Sequence, residues 1–170
     1  MIVRPIKNNE FQKSQELVKR VFEKAEFSDH EEVLIGKLRQ ETQYIPELDI
    51  VAVEDDELIG YVMLSTIQIG DYAKALCLGP IAVADDHQGM GIGAELIKYA
   101  ENMATDLGFE AIHIMGYPEY YGRFGYEKAS KFDISVDYPV EDKYFLIKEL
   151  EPGALSEVKG LIEYQKSFGI

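Results

Sequence analysis

Hydrophobic and polar residues alternate with two different periods along the chain, and the changes of period predict its order of helices and strands. Residues 1–6 alternate between apolar and polar and predict a first strand. Asn8 or Asn9 stands where it can cap a following helix, and a capping-box pattern over 28–31 predicts the start of a second helix. Pro46 then interrupts the chain.

Strand patterns dominate the middle of the chain. Two β-rich runs, 50–54 and 58–69, are joined by a short acidic turn and predict an antiparallel hairpin. Residues 75–83 predict a further strand. The pair Gly79 and Pro80 inside it indicates a bulge or local splaying, because proline cannot donate a hydrogen bond to the strand ladder.

The second half of the chain alternates helices and strands. Residues 93–107 have apolar positions at helical spacing and predict a helix that Gly108 ends. The remaining predicted elements are a strand over 111–115, a short helix over 119–124, strands over 132–136 and 144–147, and a weaker segment over 155–164. The order β α α β β β α β α β β predicts an α+β fold with a mixed sheet.

Length and charge narrow the class of protein. The chain has 170 residues, with 31 acidic and 17 basic side chains and a formal net charge of −14. This length suits one domain, and the acidity argues against a nucleic-acid partner, whose phosphates require a basic face. No apolar run approaches the ~18 residues of a membrane span, and the one cysteine fits a reducing compartment. We therefore expect a cytoplasmic enzyme or binding domain with no membrane contact.

A glycine-rich loop is the most informative feature. Gly89, Gly91 and Gly93 alternate between the end of a predicted strand and the start of the helix over 93–107. Helix N-termini present unpaired N–H groups, and alternating glycines remove the Cβ atoms that would hold a diphosphate away from them. The pattern predicts an anion-binding loop. A tight turn that only requires glycine is the structural alternative.

Two nucleotide-binding interpretations compete for this loop. Residues 89–94 formally fit G-x-G-x-x-[G/A], the dinucleotide fingerprint. That fingerprint should follow the first strand of a βαβ unit, with an acid at the end of the next strand. Here a predicted hairpin precedes the loop, and the acid at suitable distance, Glu110, stands before its strand. We therefore reject the dinucleotide interpretation.

The other interpretation takes Gln88, Gly91 and Gly93 as [Q/R]-x-x-G-x-[G/A]. Here the sequence resembles the GNAT superfamily of N-acetyltransferases, whose coenzyme A pyrophosphate loop has this pattern. About 30 residues later, Tyr121 to Tyr126 is similar to the family's Y-x-x-x-G-[FY] ending of the fourth helix. Residues 78–83 look like its splayed fourth strand. The Gly79-Pro80 pair and the run 150–155 look like a bacterial subgroup of predicted acetyltransferases.

The resemblance implies a fold, a reaction and a co-substrate. It implies a mixed, mostly antiparallel central sheet flanked by helices and splayed at the fourth and fifth strands. It implies one N-acetyltransferase domain over 1–170, with a core over about 1–148 and a C-terminal extension over 149–170. Acetyl-CoA would be the co-substrate, with coenzyme A as product and no metal. The acetyl group would pass directly to a primary amine of a small molecule or peptide in a ternary complex.

The resemblance also implies roles for particular residues. The N–H of Ile81 would meet the acetyl carbonyl, and Tyr121 would be the general acid that protonates the departing thiolate. The backbone of Val83 would meet the pantetheine amides. Many members carry a basic residue where Met90 stands. The implied cofactor contacts are Ile81, Ala82, Val83, Gln88, Gly89, Met90, Gly91, Ile92, Gly93, Ala94 and Tyr121.

Other reactive side chains favour structural roles. The three histidines stand far apart and have no metal-ligand spacing. His113 could face a cleft, but a hydrogen-bonded, partly buried histidine is favoured. Glu26 and the segment 28–32 could line the acceptor entrance or form a solvated loop. Cys77 lies in an apolar strand and is expected to be a small core residue. The residues indicate no general base.

Two further hypotheses remain open. A non-catalytic acyl-CoA sensor or interaction domain would keep the glycine loop without needing an acid or an acceptor cleft. The final strand and the tail over 155–168 could pair with another subunit and form a homodimer. Acidic groups around the acceptor cleft would favour a cationic amine.

Overall fold

The computed structural model describes residues 1–25 and 29–170, which divide into two compact units. The first unit consists of Met1–Ser65 and Gly79–Met103. The second unit consists of Thr66–Leu78 and Ala104–Ile170. None of the helices in the described part of the chain combines the length and the apolar character that crossing a membrane requires.

The described residues form a series of strands and four α-helices. The strands are β1 Ile2–Pro5, β2 Asp49–Glu54, β3 Glu57–Ile69, β4 Tyr72–Val83, β5 Ala111–Met115, β6 Glu127–Lys128, β7 Ile134–Ser135, β8 Phe145–Glu149 and β9 Gly160–Glu163. The α-helices are α1 Phe11–Phe22, α2 Glu31–Leu38, α3 Ile92–Asp106 and α4 Pro118–Tyr121. Strands β3 and β4 and helix α3 contribute residues to both units.

Antiparallel pairing builds the sheet of the first unit. Strand β1 pairs with β2, and β2 pairs with β3, both in antiparallel register. The turn between β2 and β3 consists of Asp55 and Asp56, whose φ angles are +51° and +62°. Positive φ at both positions is what a two-residue type I′ hairpin turn requires, and aspartate tolerates it better than most residues. The predicted hairpin is confirmed.

The second unit contains both parallel and antiparallel strand pairs. Strand β5 pairs antiparallel with β8, and β8 pairs antiparallel with β6. Strand β4 pairs with β5 in parallel, from Ala75 opposite Ala111 to Cys77 opposite His113. This register ends two residues before Gly79, which agrees with the predicted splaying of these strands. The predicted mixed, mostly antiparallel sheet is confirmed.

Aliphatic side chains from five strands, β3, β4, β5, β8 and β9, contribute to a core of the second unit that includes Cys77. The enclosing residues include Ile67, Ile69, Ala75, Ala111, Ile147 and Ile162. Burial raises the pKa of the Cys77 thiol to about 12, so the thiol is neutral at physiological pH. The prediction that Cys77 is a small core residue is confirmed.

A buried ion pair joins helix and strand in the first unit. The Arg39 Nε lies 2.8 Å from Asp49 Oδ2, and the hydroxyls of Tyr44 and Tyr61 each donate to this carboxylate at 2.6 Å. The Arg39 guanidinium also stacks over the Phe11 ring, 4.2 Å from its centroid. Removing one partner of such a pair costs about 3–5 kcal/mol, because the other charge is left buried. The sequence pattern did not indicate this cluster.

The starts of the first two helices differ from the prediction. Asn8 and Asn9 lie inside a short 3-10 helix and do not cap α1, whose N-cap residue is Glu10. Helix α2 begins after His30, which adopts a left-handed conformation with φ of +56°. The predicted capping box therefore does not mark its start. Ser28 of that box and Glu26 lie outside the described residues.

The C-terminal third contains shorter elements than predicted. Strand β6 was not predicted, and β7 keeps only two residues of the predicted run 132–136. Such short strands carry too few residues to show a period of two. The segment 155–164 contains strand β9, which pairs with β3 and β7 of the same chain. Its pairing with another subunit stays a prediction.

Candidate active site

The glycine loop lies in the first unit between β4 and α3. Gly89 and Gly91 have φ angles of +78° and +81°, in the left-handed region that L side chains rarely adopt. Among the described residues, no atom apart from those of the adjacent residues lies within 4 Å of the position that a Cβ would take at Gly89 or Gly91. Glycine is therefore required here by the backbone conformation, and the space above the loop is open.

Helix α3 presents free N–H groups to this open space. The N–H of Glu95 donates to the carbonyl of Gly91 at 3.1 Å, the first bond of the helix. The preceding N–H groups, those of Ile92, Gly93 and Ala94, therefore have no acceptor within the helix. Together with the positive end of the helix dipole, they form a site that attracts an anion.

The end of strand β4 directs two peptide groups away from β3. Ala84 donates its N–H to Ile59 of β3 at 2.8 Å. Because successive peptide groups of a strand point to alternate sides, Ala82 also faces β3. Ile81 and Val83 consequently direct their N–H and carbonyl groups to the opposite side. A ligand lying along that side of β4 can bind them.

Gln88 connects the glycine loop to the end of β4. Its Nε2 donates to the carbonyl of Val83 at 3.1 Å, which fixes the loop beside the outward-facing peptide groups of the strand. Met90 follows at the tip of the loop and is 67% exposed. Because its side chain is an uncharged thioether, it adds no charge to the site. The structure thus brings the loop and the strand end together within one unit.

The acidic residues nearest the loop in sequence have histidine or lysine partners in the same unit. His87 has Nδ1 2.9 Å from Asp86 Oδ1 and Nε2 3.2 Å from Glu54 Oε2. The hydrogen bond to Asp86 raises the pKa of His87 above its usual value. Lys24 forms an ion pair with Asp85. These pairings weaken the repulsion that the carboxylates would exert on a bound anion, and the sequence pattern did not reveal them.

Tyr121 ends helix α4 in the second unit. Burial, with a smaller contribution from Tyr120, raises the pKa of the Tyr121 hydroxyl to about 12. Within 1–25 and 29–170, no residue forms a hydrogen bond with this hydroxyl. Tyr121 therefore presents a protonated donor at neutral pH.

Gly116 places the Tyr121 ring and was missed by sequence reasoning. A Cβ on Gly116 would lie 2.8 Å from Cδ2 of Tyr121 and still closer to Cε2, so the ring packs directly on the glycine backbone. Gly125, the predicted glycine of the motif, adopts a φ of +94° and ends the turn that follows Tyr121. The one signal for Gly116 was its position immediately after a strand.

Tyr120 and Arg123 form an aromatic surface beside Tyr121. The rings of Tyr120 and Tyr121 meet edge to face at 5.0 Å, and the Arg123 guanidinium lies 4.7 Å from the Tyr120 centroid. Arg123 also donates to the carbonyl of Tyr120. These contacts keep Arg123 against Tyr120 and give Tyr120 a packing role.

His113 is enclosed in the second unit. Its Nδ1 lies 2.8 Å from the carbonyl oxygen of Leu146, and its Nε2 lies 2.6 Å from the hydroxyl of Tyr164. Burial lowers the pKa of His113 to about 4, so the ring is neutral at pH 7. The favoured prediction, a hydrogen-bonded buried histidine, is confirmed. In the described part of the chain, no three His, Cys, Asp or Glu side chains are grouped as metal ligands.

Comparison with known proteins places these features in a family. Residues 12–126 match the sequence model of the Acetyltransferase (GNAT) family. The uncharacterized N-acetyltransferase YhbS of Escherichia coli K12 is 31% identical over 154 residues, which cover 89% of each chain. YjhQ of the same strain, also an uncharacterized N-acetyltransferase, is 25% identical over 115 residues, 65% of this chain and 64% of that protein.

Solved structures give the same result. The crystal structure of E. coli YhbS in complex with CoA superposes with a TM-score of 0.91 at 28% identity, covering 99% of this chain and 92% of that one. A GNAT acetyltransferase from Brucella melitensis in complex with acetyl-CoA gives a TM-score of 0.82 at 23% identity. It covers 98% of this chain and 97% of the other, and it supports the fold alone.

Proposed function

The chain belongs to the acetyltransferase (GNAT) family, and from this premise we propose that it moves an acetyl group from acetyl-CoA to a primary amine of a small molecule or peptide. The observation that carries the proposal is the open loop over 89–94. Its exposed N–H groups and its two positive-φ glycines fit a pyrophosphate without requiring basic side chains. This explains how a chain with a net charge of −14 can bind a phosphate-rich co-substrate.

The loop and the end of strand β4 would bind different parts of the coenzyme. Gln88, Gly89, Met90, Gly91, Ile92, Gly93 and Ala94 would surround the pyrophosphate, mainly through their backbone. The backbone of Ile81, Ala82 and Val83 would bind the pantetheine arm, since Ile81 and Val83 direct their peptide groups away from β3. Bound acetyl-CoA supplies the acetyl group as a thioester.

Two groups of the chain would assist transfer. The N–H of Ile81 would donate to the thioester carbonyl oxygen as negative charge develops there. The Tyr121 hydroxyl would hold the proton that the departing sulfur needs, and its pKa of about 12 keeps that proton in place at neutral pH. The amine loses one proton and the sulfur gains one, so the overall reaction balances.

We propose direct transfer in a ternary complex because Cys77 and His113 are both unsuited to act as a nucleophile. Cys77 is 7% exposed within the aliphatic core, and its thiol is held neutral by burial. His113 is likewise enclosed and is hydrogen-bonded at both nitrogens. A neutral amine would therefore attack acetyl-CoA itself, and its released proton would pass to solvent. We further propose that residues 1–170 act as one N-acetyltransferase domain in the cytoplasm.

The experiment that tests the function combines binding and turnover. Thermal unfolding is followed with CoA, acetyl-CoA or NAD, and thiol release from acetyl-CoA is then measured with a pool of primary amines. We expect stabilisation by both coenzyme A forms and thiol release that requires an amine. Stabilisation without thiol release would favour the non-catalytic sensor. Stabilisation by NAD alone would contradict the proposal.

A further inference from the structure

A cavity of ligand size lies in the second unit beside β7 and β9. Its volume is about 370 Å³, within the range of small-molecule sites. Its wall includes Val136, Asp137, Tyr138, Leu161, Glu163 and Tyr164, and none of its lining residues is basic. The cavity thus combines apolar side chains, two phenol rings and two carboxylates.

The direction of a hydrogen-bond chain behind the cavity follows from His113. A carbonyl oxygen can only accept, so the contact with Leu146 at 2.8 Å places the imidazole proton on Nδ1. In the neutral ring Nε2 must then be the acceptor. Tyr164 therefore donates its hydroxyl proton inward to Nε2, at 2.6 Å.

The next hydroxyl in this hydrogen-bond chain, that of Tyr138, also acts as a donor. Tyr138 has two acceptors within reach, the Tyr164 oxygen at 3.3 Å and the Met115 sulfur at 3.1 Å. Whichever acceptor takes the proton, the Tyr138 oxygen is left to accept hydrogen bonds. The polar groups of the cavity wall, this oxygen and the carboxylates of Asp137 and Glu163, are all acceptors.

The carboxylates of the cavity have no competing cation. Across residues 1–25 and 29–170, neither Asp137 nor Glu163 forms an ion pair. The rings of Tyr138 and Tyr164 are 6.3 Å apart and tilted by 46°. The negative face of a phenol ring attracts a cation. A ligand that matches this wall needs several N–H donors, a positive charge and an apolar stem.

Contacts within the second unit connect the cavity to Tyr121. Tyr138 reaches the sulfur of Met115, the last residue of β5. Gly116 follows directly, and the Tyr121 ring packs on its backbone. The cavity wall and the proposed general acid thus meet at consecutive residues of the chain.

We propose that this cavity binds the distal ammonium group of an acceptor that carries at least two amines, an alkyl diamine or polyamine, while the other amine is acetylated. The inference rests on the proposed function, since it assigns the acceptor class for that reaction. The alkyl chain packs against Val136 and Leu161, and the ammonium meets the tyrosine rings and the carboxylates of Asp137 and Glu163. The net acidity of the cavity thus acts on the acceptor.

Three acceptors of equal length test the proposal. 1,6-diaminohexane has a cationic tail, hexylamine an uncharged tail and 6-aminohexanoate an anionic tail. At low salt, kcat/KM from thiol release should be about tenfold higher for the diamine than for hexylamine, the upper end of the range for two exposed charge pairs. It should be lowest for 6-aminohexanoate. Added salt should reduce the preference, because it screens the carboxylates.

A double variant and a matched control locate the effect. Asp137→Asn combined with Glu163→Gln should bring the diamine preference to about twofold or less, since the attraction between charges is removed. Glu151→Gln combined with Glu157→Gln changes the net charge equally at exposed positions outside the cavity and should keep the preference. Equal loss in both double variants, or an unchanged preference in the first, would overturn the proposal.

Direct binding separates this inference from the proposed function. If no amine supports thiol release while CoA binds, the proposed function fails. Calorimetric titration of the full chain with 1,6-diaminohexane, with and without the cavity substitutions, then decides about the cavity. Binding that the cavity substitutions abolish supports a diamine site. Absence of binding by the unaltered chain contradicts it.

Discussion

The two regions proposed to act on acetyl-CoA are constructed differently. The loop over 89–94 in the first unit presents backbone N–H groups, and it needs glycine at Gly89 and Gly91 because of positive φ. The Tyr121 region of the second unit presents a single hydroxyl, placed by packing on Gly116. A backbone site depends on conformation, whereas a side-chain site depends on one atom. Their responses to substitution should differ accordingly.

The largest expected effect is on turnover by Tyr121→Phe. The substitution removes the proton donor and keeps the ring, so kcat should fall about 100-fold, in the range for loss of a general acid. The Kd for CoA should change by no more than about twofold, because the loop that binds the phosphates is intact. Steady-state kinetics and calorimetry measure the two quantities.

Tyr120→Phe is the matched control for Tyr121. Tyr120 also packs in the aromatic surface, against Phe124 at 5.4 Å, but its proposed role is packing. Its kcat should stay close to that of the unaltered chain. A similar fall in kcat for both variants, or parallel losses of kcat and CoA binding for Tyr121→Phe, would indicate packing in place of acid catalysis.

A smaller effect, on binding, is expected from Gly91→Ala. The left-handed conformation costs an L residue about 1–2 kcal/mol, and the new methyl group stands in the loop that is proposed to bind the pyrophosphate. The Kd for CoA should rise about tenfold, while kcat at saturating acetyl-CoA stays close to normal. Fluorescence titration and saturation kinetics separate these two results.

Gly108→Ala is the matched control for Gly91→Ala, because it introduces similar backbone strain at a position outside the glycine loop. Gly108 follows α3 with a φ of +91°, and no described residue beyond its chain neighbours lies within 4 Å of the position that a Cβ would take there. Both variants should lose similar stability in thermal unfolding, and Gly91→Ala alone should weaken CoA binding. If both substitutions weakened CoA binding equally, backbone strain would explain the result, and obstruction of the N–H donors would not.

This contrast also explains what the sequence could predict. The glycine loop could be predicted because backbone positions with positive φ favour glycine, and these glycines stand at a fixed spacing before the start of a helix. The role of Gly116 could not be predicted, because it consists of a contact with Tyr121. That contact exists only in the folded chain, where α4 folds back on the end of β5. Local conformation leaves a pattern in neighbouring residues, and tertiary contact leaves almost none.

The polar clusters extend the same lesson. His113, Tyr138 and Tyr164 are about 25 residues apart from one to the next in sequence, and the hydrogen-bond chain forms only through the fold of the second unit. Arg39 and Asp49 join a helix end to a buried strand in the first unit. Neither cluster has a characteristic spacing. The histidine could be predicted as buried and hydrogen-bonded, but its partners could not be named.

The smallest expected effect concerns His87, a titrating group beside the loop that a backbone-only account would ignore. Its pKa is raised by Asp86 and Glu54, so the imidazolium is present below the usual histidine pKa and is lost as pH rises through the raised value. Positive charge next to the loop favours phosphates. CoA affinity should therefore fall about twofold across this pH range, a size typical of exposed charges.

His87→Asn should remove this dependence of CoA affinity on pH, while His30→Asn, at an exposed histidine of the same unit, should keep it. Calorimetric titration of CoA from below to above neutral pH measures it. A slope that survives His87→Asn would belong to the phosphates themselves and would leave the loop a purely backbone site.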